Sequence, residues 1–182
     1  FGKPLIEQPL MRNVLADLAL ESEAAKVLAL RLARAVDERS DAAARALVRV
    51  GTPAAKLWVC KRAVSAVAEC MEVWGGNGYV EEGPMPRLYR ETPVNSIWEG
   101  SGNVMALDVL RALQREPDAL PALESEFARV AGQHREFDAA LARWRALLDD
   151  GEQAPFHARR IAASLARLWQ AALLIGHASG AV

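Results

Sequence analysis

Apolar residues recur at steps of three and four along most of the chain. Met11, Leu15, Leu18, Ser22, Ala25, Ala29, Leu32 and Val36 form one stripe, so the spacing predicts a helix over about 4–38. Arg39 to Arg49 mixes alanine with charge and reads either as helical continuation or as a linker. Gly51 breaks the run, and Thr52-Pro53 reads as an N-cap with proline at the first helical position. The next helix is expected over about 53–74, with Leu57, Cys60, Val64, Val67, Met71 and Trp74 inward, ending at Gly75-Gly76. Residues 75–95 hold four Gly and three Pro, which predicts an irregular stretch with one short turn near 87–91. Long loops of this kind usually bind something. A third helix starts at Glu99 or Ser101 and runs to about 115, where Pro117 and Pro121 interrupt the pattern. Leu120, Leu123, Phe127, Val130, His134, Phe137, Leu141, Trp144 and Leu148 predict a fourth helix, closed by Asp149-Asp150-Gly151. A fifth covers about 153–178 with Ile161, Leu165, Leu168, Ala172 and Ile175 inward. No strand pattern or internal repeat is visible, so the predicted class is all-α, an antiparallel helical bundle.

Composition narrows the classes. With 182 residues, 52% of them hydrophobic, the chain can build one good core or two small ones. A net charge of −1 gives no overall electrostatic case for nucleic acid or an anionic membrane. No apolar run approaches the roughly 18 residues that span a bilayer, so no membrane is expected. Cys60 and Cys70, if on one helix, lie about 15 Å apart, beyond the roughly 7 Å that a disulfide allows. A reducing cytoplasm is therefore the expected setting. The three histidines, at 134, 157 and 177, are scattered, and no metal site is expected. The opening FGKPLIEQP, without Met, reads as a cut from something longer.

Candidate chemistry gathers around two strings, WGGNGY (74–79) and SIWEGSGN (96–103). Three glycines in four residues allow a C-cap and turn, or close approach of backbone to a ligand. Glu99, between Trp98 and Gly100, is either a first-turn glutamate aiding its helix or a carboxylate in a dry pocket able to act as a base. Arg87 and Arg90 flank Tyr89 and either bind anions or pair with Glu81, Glu82 and Glu91, the commoner outcome. His134, Trp144 and Trp169 sit at core spacing. Arg159, Arg160 and Arg167 make a modest basic patch.

The string EVWGGNGYVEEGPMPRLYRETPVNSIWEGSGNVMALDVLR (72–111) resembles the C-terminal helical domain of flavin-dependent acyl-CoA dehydrogenases. It holds a GGxGY-type loop (Gly75–Tyr79), an R-x-x-R-[DE] step (Arg87–Glu91) and an aromatic-Glu-Gly-[Thr/Ser] motif (Trp98–Ser101) in order. The opening FGKPLIEQP resembles the start of the same domain. The resemblance thus covers 1–115, which implies a helical bundle there and a helical extension over 116–182 packed on it. Trp98, the wording PMPRLYRE and the extension resemble the AidB-like branch, linked to the response to DNA alkylation.

On this resemblance Glu99 matches the catalytic base that removes the α-proton of an acyl-CoA thioester. Phe1, Glu72, Val73, Trp74, Gly75, Gly76, Ser101 and Asn103 match positions contacting FAD. Trp98, Gly100 and Arg111 match substrate-facing positions. Implied partners are an acyl-CoA substrate, further copies of the chain in a dimer or tetramer, and an electron-acceptor protein. Departures are Glu72 where glutamine is common and Pro9 where a cofactor-binding glutamine is common, beside Gln8. An arginine before Phe1 and two further domains are expected upstream, so the chain holds part of an active site and is expected to be inactive alone. DNA is an alternative partner. Residues 112–182 carry eight arginines, no lysine and nine acids, a balance that does not advertise phosphate binding. A purely structural oligomerisation bundle is the third reading.

Overall fold

The computed structural model describes residues 2–180, all helix and connections with no strand among them. A 3-10 turn at Leu5–Glu7 leads into α1 (Pro9–Asp37). The chain then forms α2 (Ala42–Val73), α3 (Gly76–Tyr79), α4 (Met85–Glu91), a 3-10 stretch Thr92–Ser96, α5 (Gly102–Arg115), α6 (Ala119–Ala128), α7 (Arg135–Asp149) and α8 (Ala154–Ser179). The architecture is the helical bundle expected from the period.

The packed face of α1 departs from the predicted stripe. The inward positions are Leu18, Glu21, Ala24, Leu28, Arg31, Leu32 and Ala35, a one-residue rotation over the second half of the helix. Two charged residues hide that face from a hydrophobic pattern. Glu21 pairs with Arg62 of α2 (2.9 Å), and Arg31 pairs with Glu126 of α6 (2.9 Å).

The second helix begins eleven residues before the expected Pro53, at Ala42, capped by the Asp41 carboxylate, which accepts from the Ala44 amide at 3.1 Å. It runs through Gly51 and Pro53, both buried. Gly51 is there for packing rather than as a stop. A Cβ would lie 2.5 Å from Trp169 Cζ3 and 2.7 Å from Leu32 Cδ2. Trp169 is fully buried and cannot retreat. Gly51→Ala is therefore expected to destabilise despite alanine's better helix propensity, by about 1–3 kcal/mol. A urea midpoint equal to or above wild type would contradict this.

The expected fourth helix is two helices. α6 ends at Ala128, the chain turns through Gly132 (φ 79°), and α7 starts at Arg135. The Gly132 amide donates to the Asp138 carboxylate (3.1 Å), which secures the turn. His134 is consequently an exposed N-cap beside Glu136 (3.2 Å), not the core histidine its spacing suggested.

One hydrophobic cluster unites the chain. Leu28, Val50, Leu57, Val109, Leu123, Phe127, Trp144, Ile161, Leu165 and Trp169 all belong to it, so residues on both sides of 115 share a core. Phe127 meets Phe137 and Trp144 edge-on, with ring centroids 6.2 and 6.1 Å apart. Trp144 Nε1 donates to the Ile161 carbonyl at 3.1 Å, which satisfies a buried donor. Contrary to the sequence expectation, α8 is long and apolar enough to cross a bilayer by length and composition (Ala154–Ala178, mean hydropathy 1.2). More than half of that window is buried, at 56%, and the helix packs on α1, α2, α5 and α7, which makes it the core helix.

Candidate functional site at the Glu99 loop

The site residues are carried by the two ends of α2 and α5 and by the chain between them. α2 closes on Trp74, and Gly75 turns the backbone at φ 58°, ψ −143°, a conformation that only glycine adopts readily. The three glycines that follow the helix have different tasks. Gly75 makes the turn. Gly78 is buried, and a Cβ on it would lie 2.2 Å from the Met71 carbonyl oxygen. Gly76 meets nothing within 4 Å, so its Cβ direction is open. Gly78→Ala should therefore unfold the loop locally, whereas Gly76→Ala should leave thermal stability unchanged. Equal losses in the two variants, read by amide exchange over 74–80, would contradict the assignment.

Beyond the glycines the basic residues are neutralised locally. Arg87 pairs with Glu91 (2.9 Å), and Arg90 grips Glu81 through two bonds of 2.7 and 3.0 Å. Pairing, rather than anion binding, is their state. The Thr92 hydroxyl, buried, donates to the Leu88 carbonyl, which joins α4 to the 3-10 stretch. The amides of Ile97 and Trp98 both donate to the Val94 carbonyl, at 2.9 and 3.0 Å.

Glu99 follows in a conformation that no other non-glycine among the described residues adopts, with φ 54°. Such backbone costs about 1–3 kcal/mol and persists only where the surroundings impose it. Its carboxylate is exposed and makes no hydrogen bond or ion pair among the described residues. Trp98 beside it is exposed, and Ile97 likewise. The residue stands two positions before the Ser101 N-cap of α5, so it is not a first-turn glutamate. Gly100 turns at φ 109°, a backbone that favours glycine, and its Cβ direction points at the flexible end of Met105, 2.3 Å from Cε. Gly102 lies as tightly on α2, with its Cβ direction 2.6 Å from Lys61 Cε.

Lys56, a residue that the motif reading missed, reaches this loop from α2. Its ammonium donates to the carbonyls of Asn95 (3.3 Å), Trp98 (2.7 Å) and Gly100 (2.6 Å). Nothing in its spacing marks it, because it precedes the apolar position Leu57 on an otherwise ordinary helix face.

The remaining candidates are distributed as follows. Glu72, Trp74, Gly75 and Gly76 are exposed at the end of α2, with Val73 half-buried. Ser101 caps α5 by position, but its side chain makes no capping bond, and Asn103 is exposed in the first turn. The first-turn amides of α5 are thus without a side-chain acceptor. Arg111 lies nine residues into α5, about 13 Å along the axis from its start, and pairs with Asp108 (2.9 Å). Asp108 also binds Arg49 of α2 through bonds of 2.8 and 2.9 Å, and these bonds hold its carboxyl below the ordinary range. Phe1 lies outside the described residues. No group of three or more His, Cys, Asp or Glu that could hold a metal occurs among the described residues.

A groove of about 980 Å³ lies elsewhere, between α1, α2, α7 and α8, and includes none of these residues. Trp58 stands there under two guanidinium groups, Arg62 at 5.7 Å and Arg167 at 5.6 Å. Arg160 lines the same groove, but so do Asp17, Glu21 and Glu136, so the basic patch is mixed in charge. This arrangement does not strengthen the DNA reading.

Residues 1–114 match the family model described as the acyl-CoA dehydrogenase C-terminal domain. The chain is 56% identical over 143 residues to AidB of Escherichia coli (strain K12), which carries an acyl-CoA dehydrogenase name; the match covers 79% of this chain and 26% of that protein. It is 32% identical over 203 residues to acyl-CoA dehydrogenase family member 11 of Caenorhabditis elegans, covering 98% of this chain and 33% of the relative. The crystal structure of Caenorhabditis elegans ACDH-11 in complex with C11-CoA superposes with a TM-score of 0.87 at 31% identity, covering 98% of this chain and 34% of that one. The chain therefore spans about a quarter to a third of the length of these relatives. With the ordered motifs, the helical bundle and these matches in agreement, the chain belongs to the acyl-CoA dehydrogenase family, as its C-terminal helical domain.

Proposed function

We propose that the complete protein is an FAD-dependent acyl-CoA dehydrogenase and that this chain supplies its α-proton base, Glu99. The observation that carries the reading is the unpartnered Glu99 carboxylate held at φ 54° between exposed Trp98 and Gly100. A strained backbone around a free carboxylate is a feature that stability alone does not favour. In this reading Glu99 takes the α-proton of the thioester, Trp98 walls the acyl group, and Gly100 supplies the φ 109° turn that follows the base. Both electrons of the departing β-hydride leave with it as the α,β double bond forms.

The residues present fit a flavin dinucleotide. The Gly76 edge is open, Trp74 is an exposed aromatic, and the α5 N-terminus offers amides with no side-chain cap. Glu72, Val73, Trp74, Gly75, Gly76, Ser101 and Asn103 would hold it, with Phe1 assigned by resemblance. Bound flavin supplies the acceptor for the hydride. Residues 1–115 are then the family's bundle, and 116–182 an extension completing its core.

Trp74, Tyr79, Ile97, Trp98 and Val104 leave apolar surface on this side that cofactor, upstream domains or a second copy would cover. A dimer or tetramer, an acyl-CoA substrate and an electron-acceptor protein are the partners proposed. The cytoplasm suits the two free cysteines.

The reading is tested by anaerobic titration of the FAD-loaded complete protein with short, branched and long acyl-CoAs. Bleaching of the flavin is expected with at least one chain class. A loaded protein that no acyl-CoA bleaches would remove the catalytic reading.

A further inference from the structure

Glu99 holds a backbone conformation that it would not adopt alone, so something nearby must impose it. The residues before it are fixed by the Val94 carbonyl, which accepts from Ile97 and Trp98. The residues after it are fixed by α5, which starts with the Met105 amide donating to the Ser101 carbonyl (2.9 Å). Between these anchors no backbone amide among the described residues donates to the carbonyl of Trp98 or of Gly100. Lys56 does. Its ammonium has three donors and no acceptor, and all three converge on carbonyls of this loop, at 95, 98 and 100. The two shortest bonds, 2.7 and 2.6 Å, go to the carbonyls of Trp98 and Gly100, the residues on either side of Glu99.

We propose that Lys56 is a positioning residue that clamps the Glu99 loop and so sets where the base carboxylate stands. The inference rests on the assignment of Glu99 made above. Lys56 does not reach the reacting atoms. It neutralises two carbonyl dipoles that would otherwise turn toward solvent, and it ties the strained segment to a 32-residue helix whose interior is core. Gly100 turns at φ 109° at the last of the three carbonyls, and Gly102 beyond it lies against the Lys61 side chain of α2.

The test uses the FAD-loaded complete protein with Lys56→Met, Lys56→Arg and Glu99→Gln beside wild type. Two readouts are needed, amide hydrogen exchange over 96–101 and the rate of flavin reduction by a saturating acyl-CoA, with and without deuterium at the α-carbon. In Lys56→Met the loop amides should exchange about tenfold faster or more. Reduction should slow by about 10–100-fold, with acyl-CoA affinity unchanged and a larger α-deuterium isotope effect as proton removal becomes limiting. Lys56→Arg keeps the charge, but its planar fork cannot converge on three carbonyls, so it should fall between.

Wild-type exchange and rate in Lys56→Met would overturn the inference. So would loss of folding or FAD binding in both Lys56 variants, which would make the residue purely structural. Retained reduction in Glu99→Gln would sink the base assignment and this inference with it. Loss in Glu99→Gln alongside wild-type rates in Lys56→Met would sink this inference alone.

Discussion

Glu99→Gln is expected to lower acyl-CoA-driven flavin reduction in the complete protein by about 10²- to 10⁴-fold, the usual contribution of a general base. The amide is nearly isosteric, but it cannot accept the α-proton. FAD content should be unchanged, because the side chain is exposed and makes no bond within the chain. For the same reason stability should stay within about 0.5 kcal/mol of wild type. Glu99→Gly sharpens the point. Glycine adopts φ 54° at no steric cost, so this variant should be more stable by up to about 1–3 kcal/mol and still fail to bleach. A residue kept for structure would show the reverse, with stability and activity falling together.

The second large effect lies at the junction of α1, α6 and α8. Glu126 is buried and accepts two bonds from Arg31 (3.0 and 2.9 Å) and one from Trp169 Nε1 (3.1 Å), with Arg129 at 3.3 Å. Arg31 Nη1 already lacks a partner. Glu126→Ala would leave a largely buried guanidinium without its acid and a buried indole N–H without its acceptor. The expected loss is about 3–5 kcal/mol, a large share of a typical domain's 5–15 kcal/mol. The pair itself is not the source of that stability. Replacing both partners, as Arg31→Met with Glu126→Leu, should recover the part due to the unpaired guanidinium, since removing two buried charges together is often neutral, while the Trp169 N–H stays without its acceptor. Thermal unfolding of the single and double variants measures the difference.

The same site sets an acid limit. Burial opposes ionisation of Glu126, but the bonds and charge of Arg31, with Trp169 and Arg129, outweigh it and hold the carboxyl below its ordinary 4.5. A depressed carboxyl contributes stability that is full above the unfolded value and is lost as pH falls through the folded one. Wild type should therefore weaken as pH drops below about 4.5, and Glu126→Gln should lack that component. A matching acid slope in the two proteins would contradict the assignment.

Helix content was legible because the period is strong, but two kinds of residue misled it. Charged residues that pair across helices look like solvent positions. Glu21 and Arg31 accordingly rotated the apparent stripe of α1 away from its packed face. Glycine read as a stop is ambiguous: Gly51 lies inside α2 to admit Trp169, whereas Gly132 does end a helical run. Trp144, Trp169 and the α8 stripe were readable because they are both apolar and buried. In the candidate site, Trp98, Glu99 and Gly100 were found by motif, and periodicity would not have singled them out. Lys56 escaped both approaches, since its role depends on carbonyls more than 38 residues away in sequence. The unusual backbone of Glu99 was likewise invisible, because no residue type announces a positive φ except glycine.

The most direct test of the central claim is α-proton exchange, which isolates the base from the redox step. The FAD-loaded complete protein is incubated in D₂O with an acyl-CoA blocked at the β-carbon, so that oxidation cannot follow, and deuterium at the α-carbon is read by mass spectrometry. Wild type should incorporate deuterium, and Glu99→Gln should not do so above the uncatalysed rate. Incorporation at the wild-type rate in Glu99→Gln would show that another group removes the proton.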